Sequence, residues 1–184
     1  MQGERDGAVV INARKLFDQV KSLVDPSITN ITFDAQDYLV KIQWSERGKA
    51  SIIGFDANDF PPFPEIENGE TLNIAASELA FLAEKTLFAT STDSTRLSLN
   101  GVFLEAKDGK ISMVATDGHR LGRAAIDQEG AELSNGVIIP HKALQYILHM
   151  AKGDSTVEVR TSATHILFNT GSIQVISKLY EGHD

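Results

Sequence analysis

The sequence predicts an α+β protein made from one β-α-β-β-β unit used three times. Two observations predict it. One spacing recurs: Val9, Ile11, Ala13 and Leu16, then Leu72, Ile74, Ala76 and Leu79, then Val137, Ile139, His141 and Leu144, apolar at every place but His141. In each copy the first two positions alternate as in a half-buried strand, and the pattern then changes to helical spacing. After each helix come short apolar runs separated by Gly- and Asp-bearing connections, which favour antiparallel hairpins. A repeat period of about 60 residues is longer than that of common solenoids, so the unit reads as a duplicated half-domain.

The elements follow in order. In copy one, Ala13, Leu16, Phe17, Val20 and Val24 form a helical stripe predicted to be buried. Strands are expected over 28–33, 38–44 and 50–55, with turns near Ala35-Gln36-Asp37 and at Glu46-Arg47-Gly48. The stretch 59–69 carries Pro61, Pro62 and Pro64, cannot be helical and reads as a linker. Copy two continues with a helix through Leu79, Leu82 and Ala83, then strands over 99–106, 110–115 and 120–126. Its Phe81 and Phe88 fall outside the main apolar stripe and are expected to pack on a neighbouring helix. A softer polar loop spans 128–136. Copy three has a helix with Leu144, Ile147, Leu148 and Ala151 inward, then strands over 156–160, 165–169 and 172–179. The harder linker before copy two suggests that copies two and three pair into one complete domain, leaving copy one as half of another.

Composition bounds the function. The 184 residues are 42% hydrophobic and 23% charged, the balance of an ordinary globular chain. No apolar run reaches the roughly 20 residues of a membrane span, and the polar start lacks a secretory core. The absence of cysteine excludes disulfides and thiolate metal sites and fits a reducing, cytoplasmic setting. A net charge of −8 argues against coating nucleic acid with the whole surface, but not against a local basic stripe. Such stripes exist. Arg14, Lys15 and Lys21 lie on the polar side of copy one's helix, and Lys142 and His149 on that of copy three. They suit phosphate contacts without base reading, and they equally suit plain solvated faces.

Enzyme signatures are thin. There is no phosphate-binding loop, nucleophile elbow or dinucleotide glycine pattern. Asp117 and His119 could be two metal ligands of a hydrolase, with His141, His149 or His165 as a third; no cofactor is implied.

The most informative stretch is Ala115-Thr116-Asp117-Gly118-His119-Arg120-Leu121, behind the apolar run 111–114. It reads as a strand end, an Asp-Gly turn and a returning extended chain. Read alone, it is either a recognition surface or a structural turn with solvated His and Arg. Together with Arg96, Leu99-Asn100-Gly101-Val102, Val137-Ile138-Ile139-Pro140 and Ser177-Lys178-Leu179, it closely resembles the bacterial DNA polymerase III beta subunit, the replicative sliding clamps.

That resemblance implies a DNA-clamp fold with antiparallel sheets outside and helices on the inner face. It implies that residues 1–66 are the second half of clamp domain one plus a linker, that 67–184 are a complete middle domain, and that a third domain is absent. It also implies a non-catalytic processivity factor of DNA replication, whose full-length form is a ring-shaped homodimer around double-stranded DNA. Its partners would be the polymerase III alpha subunit, the clamp loader and other proteins with clamp-binding motifs. Arg96, Leu99, Thr116, Gly118, His119, Arg120 and Leu121 would line the partner-peptide pocket, with Leu99 and Leu121 projecting from neighbouring strands. Arg14, Lys15, Lys21, Lys142 and His149 would face DNA.

Overall fold

The computed structural model describes residues 7–23, 28, 30–66, 69–93, 95–150 and 155–181. Val24 and Ala151 of the expected helical stripes, and Glu67 and Asn68 of the linker, lie outside them. The chain divides into two compact units, Met1–Phe63 and Pro64–Asp184.

The first unit holds α1 (Ala13–Lys21) and the strands β1 (Thr32–Gln36), β2 (Leu39–Gln43) and β3 (Lys49–Ile53), in the antiparallel order β1-β2-β3. Asn12 starts the helix, its side-chain oxygen accepting from the Lys15 amide at 3.0 Å. The first hairpin turns at Asp37 and Tyr38, with φ of +48° and +63°. Tyr38 therefore belongs to the turn and not to the following strand, and the first strand sits later than 28–33. The expected opening strand is a single bridge, Val10 to Phe55. The helical stripe also needs correction: Ala13, Phe17 and Val20 are exposed, and only Leu16 packs against the small core of Val40, Ile42 and Ile52.

The second unit holds β4 (Glu70–Ala75), α2 (Ala76–Glu84), β5 (Gly101–Lys107), β6 (Lys110–Thr116), β7 (Leu121–Asp127), β8 (Val137–Pro140), α3 (His141–Met150), β9 (Thr156–Thr161), β10 (His165–Asn169) and β11 (Gln174–Lys178). Leu79 and Leu144 lie in helices, as their spacing predicts. Two four-stranded antiparallel sheets form, in the orders β11-β10-β9-β4 and β7-β6-β5-β8. These orders reveal an exchange. Copy two's opening strand, β4, joins copy three's sheet through β9, and copy three's opening strand, β8, joins copy two's sheet through β5.

The exchange aligns apolar partners across the seam: Leu72 and Ile74 oppose Val159 and Val157, and Val137 and Ile139 oppose Leu104 and Val102. All of these except Val137 are buried, and Val137 packs against the same core. The helices supply Leu79, Leu82, Ala83, Leu144 and Ile147 to it, and α2 also touches α3. Polar ties reinforce the arrangement. The Gln128 amide donates to the Asn73 carbonyl at 2.6 Å, and Ser134 donates its amide and hydroxyl to Glu70. Those donors hold the Glu70 carboxyl below its ordinary pKa.

Two further expectations change. Leu99 sits in a 3-10 turn, Leu97–Asn100, because the strand begins only at Gly101. Phe81 and Phe88 do not pack on a neighbouring helix; both are exposed, Phe88 on the 3-10 turn Leu87–Ala89.

Candidate functional site

The 115–121 segment closes the β6–β7 hairpin, whose last register pair is Thr116 with Leu121. The Thr116 hydroxyl and the Asp117 carboxylate fix its shape. The Thr116 hydroxyl donates to the Arg120 carbonyl at 2.8 Å and accepts from the Gly118 amide at 3.1 Å. One Asp117 carboxylate oxygen accepts from the His119 and Arg120 amides, each at 3.0 Å, and the other from the Arg120 guanidinium at 2.9 Å. The two amides, and then the guanidinium, hold the Asp117 carboxyl below its ordinary pKa. Gly118 has φ of +90°, a left-handed conformation that a side chain would strain.

The turn is therefore rigid from within, and it projects what it does not use. Leu121 is 63% exposed at the start of β7, and Gly118, His119 and Arg120 are exposed beside it. Arg120 lies over the ring of Phe88, its guanidinium carbon 5.8 Å from the centroid. Phe88 is 54% exposed, so Leu121, the Phe88 ring and the Arg120 stem give an apolar patch with a charged rim.

The sequence reading missed two residues here. From sequence, Phe88 reads as an aromatic that packs on a neighbouring helix. Gly122 passed unremarked, although a side chain there would come within 2.9 Å of the Lys85 carbonyl and 3.2 Å of the Thr86 Cα. An isolated glycine inside a strand pattern is the signal that could have found it, since it marks close backbone approach. At Gly122 it lets β7 lie against the end of α2 and the turn that carries Phe88.

The expected pocket residues fall on two segments of the chain. Thr116, Gly118, His119, Arg120 and Leu121 share one turn. Arg96 and Leu99 belong to the 3-10 segment that leads into β5, and β6 separates β5 from β7 in the sheet. Leu99 and Leu121 therefore do not project from neighbouring strands, and Leu99 is half-buried where Leu121 is open.

A separate concavity lies elsewhere in the second unit. It has a volume of about 580 Å³, and its walls include Thr90, His141, Lys142, Tyr146, Ser177 and Lys178. Thr90 and His141 are joined there, hydroxyl to Nδ1 at 2.7 Å, and burial pushes the His141 pKa down.

The basic residues fall on both units. On α1, Arg14 reaches Asp18 at 3.9 Å, and the Lys21 ammonium lies 5.7 Å from the Phe17 centroid. Lys15 is exposed on the same helix. On α3, Lys142 and His149 are exposed, and His149 Nδ1 contacts the Gln145 carbonyl at 2.9 Å.

The metal alternative finds no support. Among the described residues no group of three His, Cys, Asp or Glu side chains is placed to hold an ion. Asp117 has both oxygens occupied by donors of its own turn, and His141 is bonded to Thr90. Among the described residues, no helix is long and apolar enough to cross a membrane.

Comparison with known proteins places this geometry in a family. The profile of the DNA polymerase III beta subunit central domain matches residues 73–183. The beta sliding clamp of Pseudomonas aeruginosa is 34% identical over 178 residues, covering 96% of this chain and 48% of its own length. That of Staphylococcus epidermidis is 30% identical, covering 96% and 46%. Among solved structures, a sliding clamp (DNA polymerase III subunit beta) from Bartonella birtlesii bound to griselimycin superposes with a TM-score of 0.89 at 32% identity, over 98% of this chain and 50% of that one. A DNA polymerase sliding clamp from Pseudomonas aeruginosa gives 0.86 at 29%, over 100% and 50%. The chain spans about half the length of the relatives it matches. With a matching profile, relatives at this identity and one shared fold of antiparallel sheets and a few helices, the chain belongs to the DNA polymerase III beta subunit family.

Proposed function

We propose that the chain contributes to a replicative sliding clamp, a non-catalytic tether that holds polymerase and other partners near DNA in the cytoplasm. The observation that carries the partner-binding part is the 115–121 turn. Its Thr116 and Asp117 side chains hold it rigid and leave Leu121 and Phe88 open beside Arg120 and His119. A preorganised apolar patch with a hydrogen-bonding rim suits a short linear motif anchored by leucine or an aromatic residue. Arg96 and Leu99, on the segment entering β5, extend the lining on this reading. Binding by motif raises a partner's effective concentration at the DNA without any bond-making by the clamp.

Residues 1–66 act on this reading as the second half of a first clamp domain with its linker, and 67–184 as a middle domain. Arg14, Lys15, Lys21, Lys142 and His149 supply loose phosphate contacts that permit sliding along double-stranded DNA. The longer family form closes as a ring-shaped homodimer and receives the polymerase III alpha subunit and the clamp loader at the patch.

The test is fluorescence polarisation with a labelled clamp-binding peptide. Leu121→Asp removes binding, because it puts a charge where the anchor must lose its water, while Lys142→Ala on α3 leaves binding intact. Equal affinity of Leu121→Asp and the parent chain would reduce the hairpin end to a structural turn. In mobility-shift titrations the chain binds duplex weakly, with steep salt dependence and without sequence preference.

A further inference from the structure

The sequence holds three Asn-Gly pairs, Asn68-Gly69, Asn100-Gly101 and Asn135-Gly136. In such a pair a side-chain amide can meet the next backbone nitrogen, because glycine has no side chain to hinder the approach. The Gly nitrogen attacks the Asn side-chain carbonyl carbon. A new C–N bond closes a cyclic imide, and the side-chain nitrogen leaves as ammonia, carrying the Gly N–H proton. Water then opens the ring at either carbonyl, giving aspartate or isoaspartate. Water is the only co-reactant.

The fold treats the pairs differently. Asn68 lies outside the described residues. Gly101 is buried and opens β5, paired with Pro140 of β8. Asn100 ends the 3-10 turn, and its side-chain oxygen is buried. To cyclise, this pair would have to leave a packed strand and admit water. Asn135 is exposed, in a bend before β8. Neither its side chain nor the Gly136 amide has a hydrogen-bond partner among the described residues. A side chain at Gly136 would run into the Phe103 ring. Packing therefore keeps the glycine that makes the pair reactive, while no hydrogen bond restrains the two reacting groups.

The surroundings give the change a consequence. Just before the pair, Ser134 donates its amide and hydroxyl to Glu70 at 2.9 and 2.6 Å, tying the start of β4 to the loop that enters β8. Asn135 shares a cleft with Glu70, Glu105, Asp108 and Glu132, with Lys107 the cation among them. A new carboxylate at position 135 is repelled by these acids. The isoaspartyl product also lengthens the backbone by a methylene just ahead of Val137, which pairs with Leu104. Both changes fall where the two exchanged strands are tied.

We infer that Asn135 is a site of self-modification, converting to aspartate and isoaspartate in the folded chain and loosening the tie between β4 and the loop into β8. The inference rests on groups local to one loop of residues 64–184 and does not depend on DNA or peptide binding.

The test is incubation of the 184-residue chain in mildly alkaline buffer made with heavy-oxygen water, followed by proteolysis in ordinary water and mass mapping. The peptide carrying residue 135 should convert from amide to acid and take up a heavy oxygen. It should also yield the isoaspartyl isomer, which direct hydrolysis of the amide does not give. The peptide carrying Asn100 should stay unchanged. In urea both should convert at similar rates, because the difference lies in the fold and not in the pair. Asn135→Ser removes the reaction at 135 and leaves the circular dichroism of the chain unchanged. An Asn135 that persists in the folded chain overturns the inference, and so does an Asn100 that converts as fast as Asn135 before unfolding. The consequence is read separately. Asn135→Asp should lower the urea midpoint relative to Asn135→Ser, and the deficit should shrink in high salt, which screens repulsion between exposed charges. Equal midpoints would overturn the loosening.

Discussion

Residues 7–63 and residues 64–184 are written in the same pattern and reach different ends. In the second unit the first strand after each helix is buried on its apolar face, since copies two and three trade their opening strands. In the first unit the matching strand, β1, is exposed at every position and α1 buries none of its residues. The difference teaches that the repeat encodes half of a core. Alternating apolar residues specify which face of a strand is to be covered, but the cover comes from another copy of the unit.

The largest expected effect tests that difference directly. Leu144→Ala removes a side chain that is 0% exposed and should cost the second unit about 2–5 kcal/mol. Phe33→Ala, at the matching edge of the first unit, should cost under about 1 kcal/mol. Urea unfolding of both variants, followed by the Trp44 signal for the first unit and by circular dichroism for the whole, measures the contrast. Equal losses would mean that β1 is covered after all.

A smaller effect sharpens the reading of the hairpin. Gly122→Val pushes β-branched bulk against the Lys85 carbonyl and Thr86 backbone, and overpacking of this kind costs about 1–3 kcal/mol. It should also reduce peptide binding, because the strand and the Phe88 turn are forced apart. Gly109→Val is the control. Its added Cβ meets nothing within 4 Å, so it should strain its own turn and leave the peptide patch alone.

The smallest effects are electrostatic. Asp117→Ala releases the His119 and Arg120 amides and the Arg120 guanidinium, and peptide affinity should fall about 3–10-fold as the rim loosens. Amide exchange at residues 118–120 should accelerate in the same variant. Acid should weaken the second unit through Glu70 and Asp117. Both carboxyls have folded pKa values below their ordinary ones. Their stabilisation is therefore present above the unfolded values, near pH 4, and is lost as pH falls through the folded values. Glu70→Gln should flatten that part of a stability profile measured between pH 5 and 2.

Much of this was legible in the chain. The helical spacing placed Leu79 and Leu144 in helices, and the Asp-Gly signal placed the hairpin end that carries Thr116, His119, Arg120 and Leu121. These are local features, set by backbone preference and by the period of apolar residues over a few positions. The spacing of Val9, Ile11, Ala13 and Leu16 likewise announced a third copy, since a repeated pattern needs no long-range information to be seen.

Tertiary structure alone decided the rest, because it depends on residues far apart in the chain meeting. Periodicity marks a strand's apolar face but not which strand will lie beside it, so the crossing of β4 and β8 between copies was invisible. The same limit misplaced Leu99, whose 3-10 turn follows from where Gly101 is drawn against Ile138 and Ile139. It also hid Phe88, which matters because Gly122, 34 positions later in the chain, allows β7 to come close. Copy one is the sharpest instance. Its sequence promises a buried stripe through Leu16, Phe17 and Val20, but burial needs a second surface, and the apolar pattern on one helix cannot supply it.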